Sequence, residues 1–317
     1  MYTTSTQKKN WTFASQEEIA QMREKANLAY KEQWASMTQE DEKDGFLSTE
    51  EEDQLLRVVA DTGIKFGDQF RPPLWPSIRW TAFAYFKRFY LRESAMEYSP
   101  KIVMTTCYYL AAKVDEFYVA ISEFVQNLRM GTAEQNMQRI LAMEPEIMRN
   151  LNYELTVHCP FRPFEGHLVE MKTRMLLLNF ELDSLRPPAE RFFKKCLLGD
   201  AILLFPPSQI ALAAIKSALD SLDKSPELLK EFLMKMMGVE DQWEGNNDMA
   251  TVNKLIARLD EIIAYVEQSA GDQDGGASLQ SRMLSWSELL RVLEERKAND
   301  PNRVIPKEDP VDSDDED

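Results

Sequence analysis

The chain has 317 residues, enough for two domains of ordinary size, with 44% hydrophobic and 10% aromatic residues to fill their cores. Its formal charge of −16 disfavours direct binding to a phosphate backbone, which calls for a basic face. No uncharged helical run approaches the roughly 20 residues that a bilayer needs, and no charged-then-apolar leader opens the chain, so it reads as soluble and intracellular.

Nearly every long segment has helical periodicity. Ser15 followed by Glu18 has the spacing of a capping box, after which Ile19, Met22, Ala26 and Ala29 recur on one face of a first helix. Ser48 and Glu51 repeat that spacing before "EDQLLRVVADTGIKF". Prolines at 72, 73 and 76 break the chain ahead of the nearly all-apolar "IRWTAFAYFKRFYL". Ser99-Pro100 then opens a helix, since proline suits a first turn whose N–H groups are orphans anyway. Such a pair also suits proline-directed kinases, but capping is the ordinary reading. "SEFVQNL" and residues 134–152 supply a fourth and a fifth helix, and "HCPFRPFEGH" closes this block and opens another.

The second block echoes the first. Setting Ile102 on Ile210 matches "SPKIVMTTCYYLAA" to "PPSQIALAAIKSAL", and each is preceded by an aromatic-rich helix. A repeat of about 108 residues is too long for a solenoid unit and suggests a duplicated helical domain; two ordinary Ala-rich core helices are the alternative. No segment alternates as a strand would, so the fold class is all-α. Past "LIARLDEIIAYVEQ" and the linker "SAGDQDGGAS", Leu279, Met283, Trp286, Leu290 and Leu293 form one stripe that must be buried, most simply against the body beside the N-terminal helix. The tail "EDPVDSDDED" is too acidic to pack and reads as disordered; Ser313 within it resembles an acid-directed kinase site.

The stretch "IVMTTCYYLAAKVDEF", Ile102 to Phe117, begins with eleven uncharged residues. A helix apolar all round belongs at the centre of a bundle, and those eleven residues span roughly 16 Å, the thickness of a small helical domain. Lys113 is where that rod reaches the surface, and a cation there suits the negative end of the helix dipole. In "AEQNMQRILAMEPEIMRNLNYEL" Glu144 interrupts the apolar stripe, and Pro145 is tolerable if a new turn begins at Glu144.

The chain shows no catalytic constellation. GxGxxG, GxxxxGK[ST] and GxSxG are absent, and carboxylate pairs are too common here to discriminate. His158 and His167 have no ligand spacing with the cysteines, and Cys107, Cys159 and Cys196 lie far apart without a CxxC pair. No metal, cofactor or disulfide framework is expected; the chain reads as a binding module rather than an enzyme.

The motifs resemble those of the cyclins. "YFKRFYL", "SPKIVMTTCYYLAAKVDEF" and "EPEIMRNLNYEL" look like helices two, three and five of a cyclin box, and "PPSQIALAAIKSAL" looks like the third helix of a second box; the resemblance covers residues 1 to about 268. It implies two tandem five-helix boxes with flanking terminal helices: an arm and helix over 1–50, boxes over 51–158 and 159–268, and a linker, helix and tail over 269–317. "MYTTSTQKKNWTF", "AAKVDEF" and "HCPFRPFEGHLVEMKTR" are similar to the branch that regulates the CDK-activating kinase. A sister branch of transcriptional cyclins shares "YFKRFY" but lacks that opening, and TFIIB-like factors use the same fold to bind DNA with basic faces and zinc ribbons that this chain lacks.

The resemblance implies a regulatory subunit that is not itself an enzyme. Its partners would be a cyclin-dependent kinase catalytic subunit, a RING-finger assembly factor and the TFIIH core, in the nucleus, with no direct contact to nucleic acid or membrane. It further implies that Lys113 and Glu144 form a charged pair gripping the kinase's regulatory helix, amid apolar contacts at Val114, Met148, Tyr153 and Leu155. Pro145 departs from the family pattern and puts the aim of Glu144 in doubt. The "MRAIL" docking stripe of cell-cycle cyclins is replaced by "RPPLWPSIRW", so short-motif substrate docking is not expected there.

Overall fold

A computed structural model of the chain describes residues 2–129, 131–176, 178, 180–239, 247–271 and 276–299. Ser313 and the acidic tail lie outside them. Among the described residues every regular element is a helix. An arm carries α1 (Thr6–Asn10) and leads to α2 (Gln16–Gln33). The first block holds α3 (Thr49–Gln69), α4 (Pro76–Phe89), α5 (Pro100–Val114), α6 (Ile121–Phe124) and α7 (Ala133–Asn150). The second holds α8 (Phe161–Arg174), α9 (Arg186–Cys196), the single turn α10 (Ala201–Leu204), α11 (Pro207–Ser221), α12 (Glu227–Met237) and α13 (Asn247–Ala270); α14 (Gly276–Ala298) comes last.

Local chemistry explains the helix starts. The Ser48–Glu51 box closes both ways, with Glu51 N–H donating to Ser48 Oγ at 3.2 Å and Ser48 N–H to Glu51 Oε2 at 2.8 Å. At α2 only half of the box forms: Glu18 N–H donates to Ser15 Oγ, but the Glu18 carboxylate accepts from Ala14 N–H instead. Pro100 and Pro207 occupy the first turns of α5 and α11, and Ser99 makes no side-chain cap. The inner face of α2 is Ile19, Ala26 and Tyr30; Ala29, expected there, is exposed because the helix buries the tyrosine one position on. The fourth helix shrinks to one turn, α6, continued by a 3-10 turn over Val125–Asn127.

The expected duplication is present as two similar packings. α5 lies against α3, α4 and α7, and α11 lies against α8, α9 and α13, so each block surrounds one apolar rod. The fully buried Val103 and Ile210 correspond, as do the two first-turn prolines, one residue out of step with setting Ile102 on Ile210. The blocks meet on aromatic edges, with Trp80 of α4 against Phe161 at 5.9 Å and Phe193 at 6.3 Å. Beside that seam Arg23 of α2 reaches Asp200 through two nitrogens, at 3.0 and 2.7 Å, with Lys87 of α4 at 3.5 Å from the same carboxylate.

The C-terminal stripe docks as its periodicity requires. Trp286 packs against Tyr30 at 5.8 Å and Phe46 at 5.4 Å. Arg282 pairs with Glu51 and Arg296 with Glu42, both at 2.6 Å. α14 therefore covers the N-terminal helix, and among the described residues Lys113 and Val114 at the end of α5 stay exposed.

Candidate functional site

From Thr106 to Ala112 every residue of α5 is buried, and Lys113 and Val114 are the first of that run to reach solvent. α7 is amphipathic with a buried stripe of Ile140, Glu144, Ile147 and Leu151 turned toward α5. Glu144 is thus a carboxylate on an otherwise apolar stripe, only 7% exposed. It is tolerable because the Lys113 ammonium pairs with it. Among the described residues no donor reaches Glu144 Oε1 with hydrogen-bond geometry, so the lysine's charge is what compensates it. The lysine side chain stays 45% exposed and lies 5.0 Å over the ring of Tyr109, one turn earlier.

The two helix ends shape the rim. After α5 the chain turns through Glu116, at φ 57°, while Phe117 N–H closes on Ala112 O at 2.8 Å. After α7 both Asn152 and Tyr153 have positive φ, and Tyr153 N–H closes on Met148 O at 2.9 Å. That turn throws the Tyr153 ring out, 68% exposed. Val114 is also exposed, Met148 is half-buried, and Leu155 packs partly on the core with its carbonyl accepting from Tyr85 O–H at 2.5 Å.

Lys113 and Glu144 are therefore brought together, with Val114 beside the first and Met148 one turn beyond the second. Pro145 does not start a new turn: α7 runs unbroken through it, so Glu144 keeps its place on the helix face. Two further apolar side chains are exposed close by in the chain and are not expected from the sequence: Leu141, 48% exposed and one turn before Glu144, and Tyr118, four residues past Val114 and 92% exposed. A leucine in an amphipathic helix reads as core, and only the packing reveals it as surface. In the segment "RPPLWPSIRW", Trp75 is half exposed and stands edge-on to Phe117 at 5.6 Å, flanking the α5 end.

The histidines are apart, His158 edge-on to Tyr2 and His167 to Phe232. All three cysteines are free. Among the described residues no group of His, Cys, Asp or Glu could hold a metal ion, and no helix is long and apolar enough to cross a membrane.

The cyclin N-terminal domain model matches residues 69–156, and the cyclin C-terminal domain model matches residues 159–267. Cyclin-H of Xenopus laevis is 38% identical over 247 residues, 77% of this chain and 75% of that one. The chain belongs to the cyclin family. Within it, its sequence is that of a cyclin-H-like protein. Cyclins are regulatory subunits of protein kinases and not enzymes themselves. The same fold is found in a chain of the Chaetomium thermophilum CAK complex bound to ATP-gamma-S, with a TM-score of 0.72, 24% identity and coverage of 100% of this cyclin and 98% of that chain. It recurs in the yeast TFIIK complex, with a TM-score of 0.63, 20% identity, and 83% and 100% coverage.

Proposed function

We propose that this cyclin binds and activates a cyclin-dependent kinase as the regulatory subunit of a CDK-activating kinase, with a RING-finger assembly factor as third member and the TFIIH core as its larger host. In the nucleus that complex phosphorylates kinase activation loops and the C-terminal repeats of RNA polymerase II. The first box, residues 51–158, carries the kinase-binding surface, and Lys113, Glu144, Val114, Met148, Tyr153 and Leu155 build it. One observation carries this reading: a half-exposed ammonium at the end of α5 is paired with a nearly buried carboxylate of α7, and Val114, Leu141 and Tyr153 are exposed on those two helices and the turn after them.

The mechanism is a shift of population. A kinase is active when its αC glutamate points inward and its activation loop is ordered. A partner moves that equilibrium only through unequal affinity for the two states. Going from 1:99 to 99:1 active takes about 5.5 kcal/mol of differential binding, which an interface of about 1,600 Å² can supply. The apolar side chains provide most of it as they lose water, while the charged pair fixes register.

Affinity purification of the tagged full chain from nuclear extract tests this. A protein kinase should co-purify, the complex should phosphorylate a kinase activation-loop substrate and a polymerase repeat peptide, and the isolated chain should transfer no phosphate. A preparation that retains no kinase, or that shifts duplex DNA at modest salt, would overturn the reading.

A further inference from the structure

The arm before α2 is anchored at two places: Phe13 N–H donates to Leu203 O of α10 at 2.8 Å, and the arm's side-chain hydrogen bonds to the rest of the body converge on the short segment that follows α7. Trp11 is 1% exposed, and its indole Nε1–H donates to Glu154 Oε2 at 2.5 Å. Asn10 Nδ2 donates to Glu154 Oε1 at 2.6 Å, so arm residues hold both oxygens of that carboxylate. The guanidinium groups of Arg88 and Arg92 lie over the indole ring, 5.2 and 4.8 Å from its centre, and Arg88 Nη1 donates to the Glu154 carbonyl at 3.3 Å. Four residues on, His158 N–H donates at 2.6 Å to Oε1 of the buried Gln7.

Glu154 stands between Tyr153 and Leu155, and the turn that presents them is strained. Asn152 and Tyr153 have φ of 52° and 59°, a conformation that costs non-glycine residues of order 1 kcal/mol each and persists where the surroundings impose it. An arm that served only to cover core would need apolar contacts alone. Here two donors converge on a charged side chain flanked by two residues of the docking face, and bonds to an ionised acceptor are the stronger kind.

We propose that the N-terminal arm is a positioning clamp, in which Asn10 and Trp11, acting through Glu154, hold residues 153–155 in the conformation that meets the kinase; this rests on the reading of the Lys113–Glu144 face as the docking surface. With the clamp open the segment samples other conformations, and apparent affinity falls in proportion to the fraction that stays competent.

The test uses the full chain with Asn10→Ala or Trp11→Phe. Asn10 is exposed, and Trp11→Phe keeps an aromatic ring beneath the two arginines while removing the donor, so both variants should fold. The expected results are amide exchange about tenfold faster at 154–158, a cooperative melt lowered by roughly a few degrees, and a kinase subunit bound roughly tenfold more weakly by calorimetry. In a double-mutant cycle with Tyr153→Ala the losses should fall short of additive, because there is then less to position. Faster exchange without loss of affinity, unchanged exchange, or strictly additive losses would each overturn the clamp. Lys113→Ala with Glu144→Ala and Tyr153→Ala alone serve as references. If these weaken binding and the arm variants do not, only the clamp falls; if these leave binding intact, the docking face itself is refuted.

Discussion

Lys113 and Glu144 form one ion pair with very unequal exposure, the lysine side chain 45% and the glutamate 9% accessible. Their single variants should therefore differ. Glu144→Ala leaves a lysine that water can solvate and should change stability little. Lys113→Ala leaves a nearly buried carboxylate without its counter-charge and should cost about 1–3 kcal/mol. The double variant should recover most of that loss. Urea titration reads the order, and a reversed order would mean that the lysine is the buried partner. In calorimetry with the kinase subunit all three should bind more weakly, and unchanged affinity of the double variant would remove the pair from the interface.

Leu141 separates docking from folding more cleanly. It is half exposed on the face of α7 beside Glu144. Leu141→Asp should leave stability within about 0.5 kcal/mol, as exposed substitutions usually do. At the centre of a desolvated interface the same change should weaken kinase binding by more than about tenfold. Wild-type affinity in the variant would move the interface off α7.

Pro145 offers a test of the helix itself. α7 continues through it, although proline gives no N–H to the Leu141 carbonyl. Pro145→Ala should restore that bond and raise stability by about 1–3 kcal/mol, with kinase affinity unchanged because Glu144 is already in register. A denaturation midpoint that falls would show that the proline relieves some other strain.

What the sequence made legible follows from where the signal lay. The emergence of Lys113 was readable because eleven uncharged residues precede it and a rod of that length spans a bundle. The docking of α14 was readable from its stripe. Glu144's burial was not, since a carboxylate that breaks an apolar stripe looks the same whether its partner is water or a lysine 31 positions earlier. Within "YFKRFY" the burial of Lys87 and Arg88 was equally hidden, because their partners, Asp200 and Glu154, come from distant parts of the chain. "SEFVQNL" looked like a helix, yet one turn and a 3-10 turn suffice to bury Phe124 and Val125. In "KKNWTF" no periodicity marked Trp11, whose role depends on what α4 and the segment after α7 place around it.

The seam between the blocks should be sensitive to acid. Asp200 is closed in by Arg23 and Lys87, whose side chains are 14% and 8% exposed. Burial alone would raise its pKa, but the charges of Arg23 and Lys87, with their hydrogen bonds, outweigh it and hold the carboxyl well below its ordinary 3.8. A carboxylate depressed by folding contributes stability that is fully present above its unfolded pKa and is lost as pH falls toward its folded value. Asp200→Asn should therefore cost about 3–5 kcal/mol at pH 7, because two nearly buried cations lose a counter-charge. Lys87→Met should cost less, since Arg23 still satisfies Asp200 and also meets Asp53 at 3.3 Å. The gap between parent and Asp200→Asn should narrow as pH drops below about 4, the ordinary range of an aspartate. Urea titrations at pH 7, 5 and 3 decide the matter: a gap that stays constant across that range would mean that the cluster does not tie the two blocks together through the charge of Asp200.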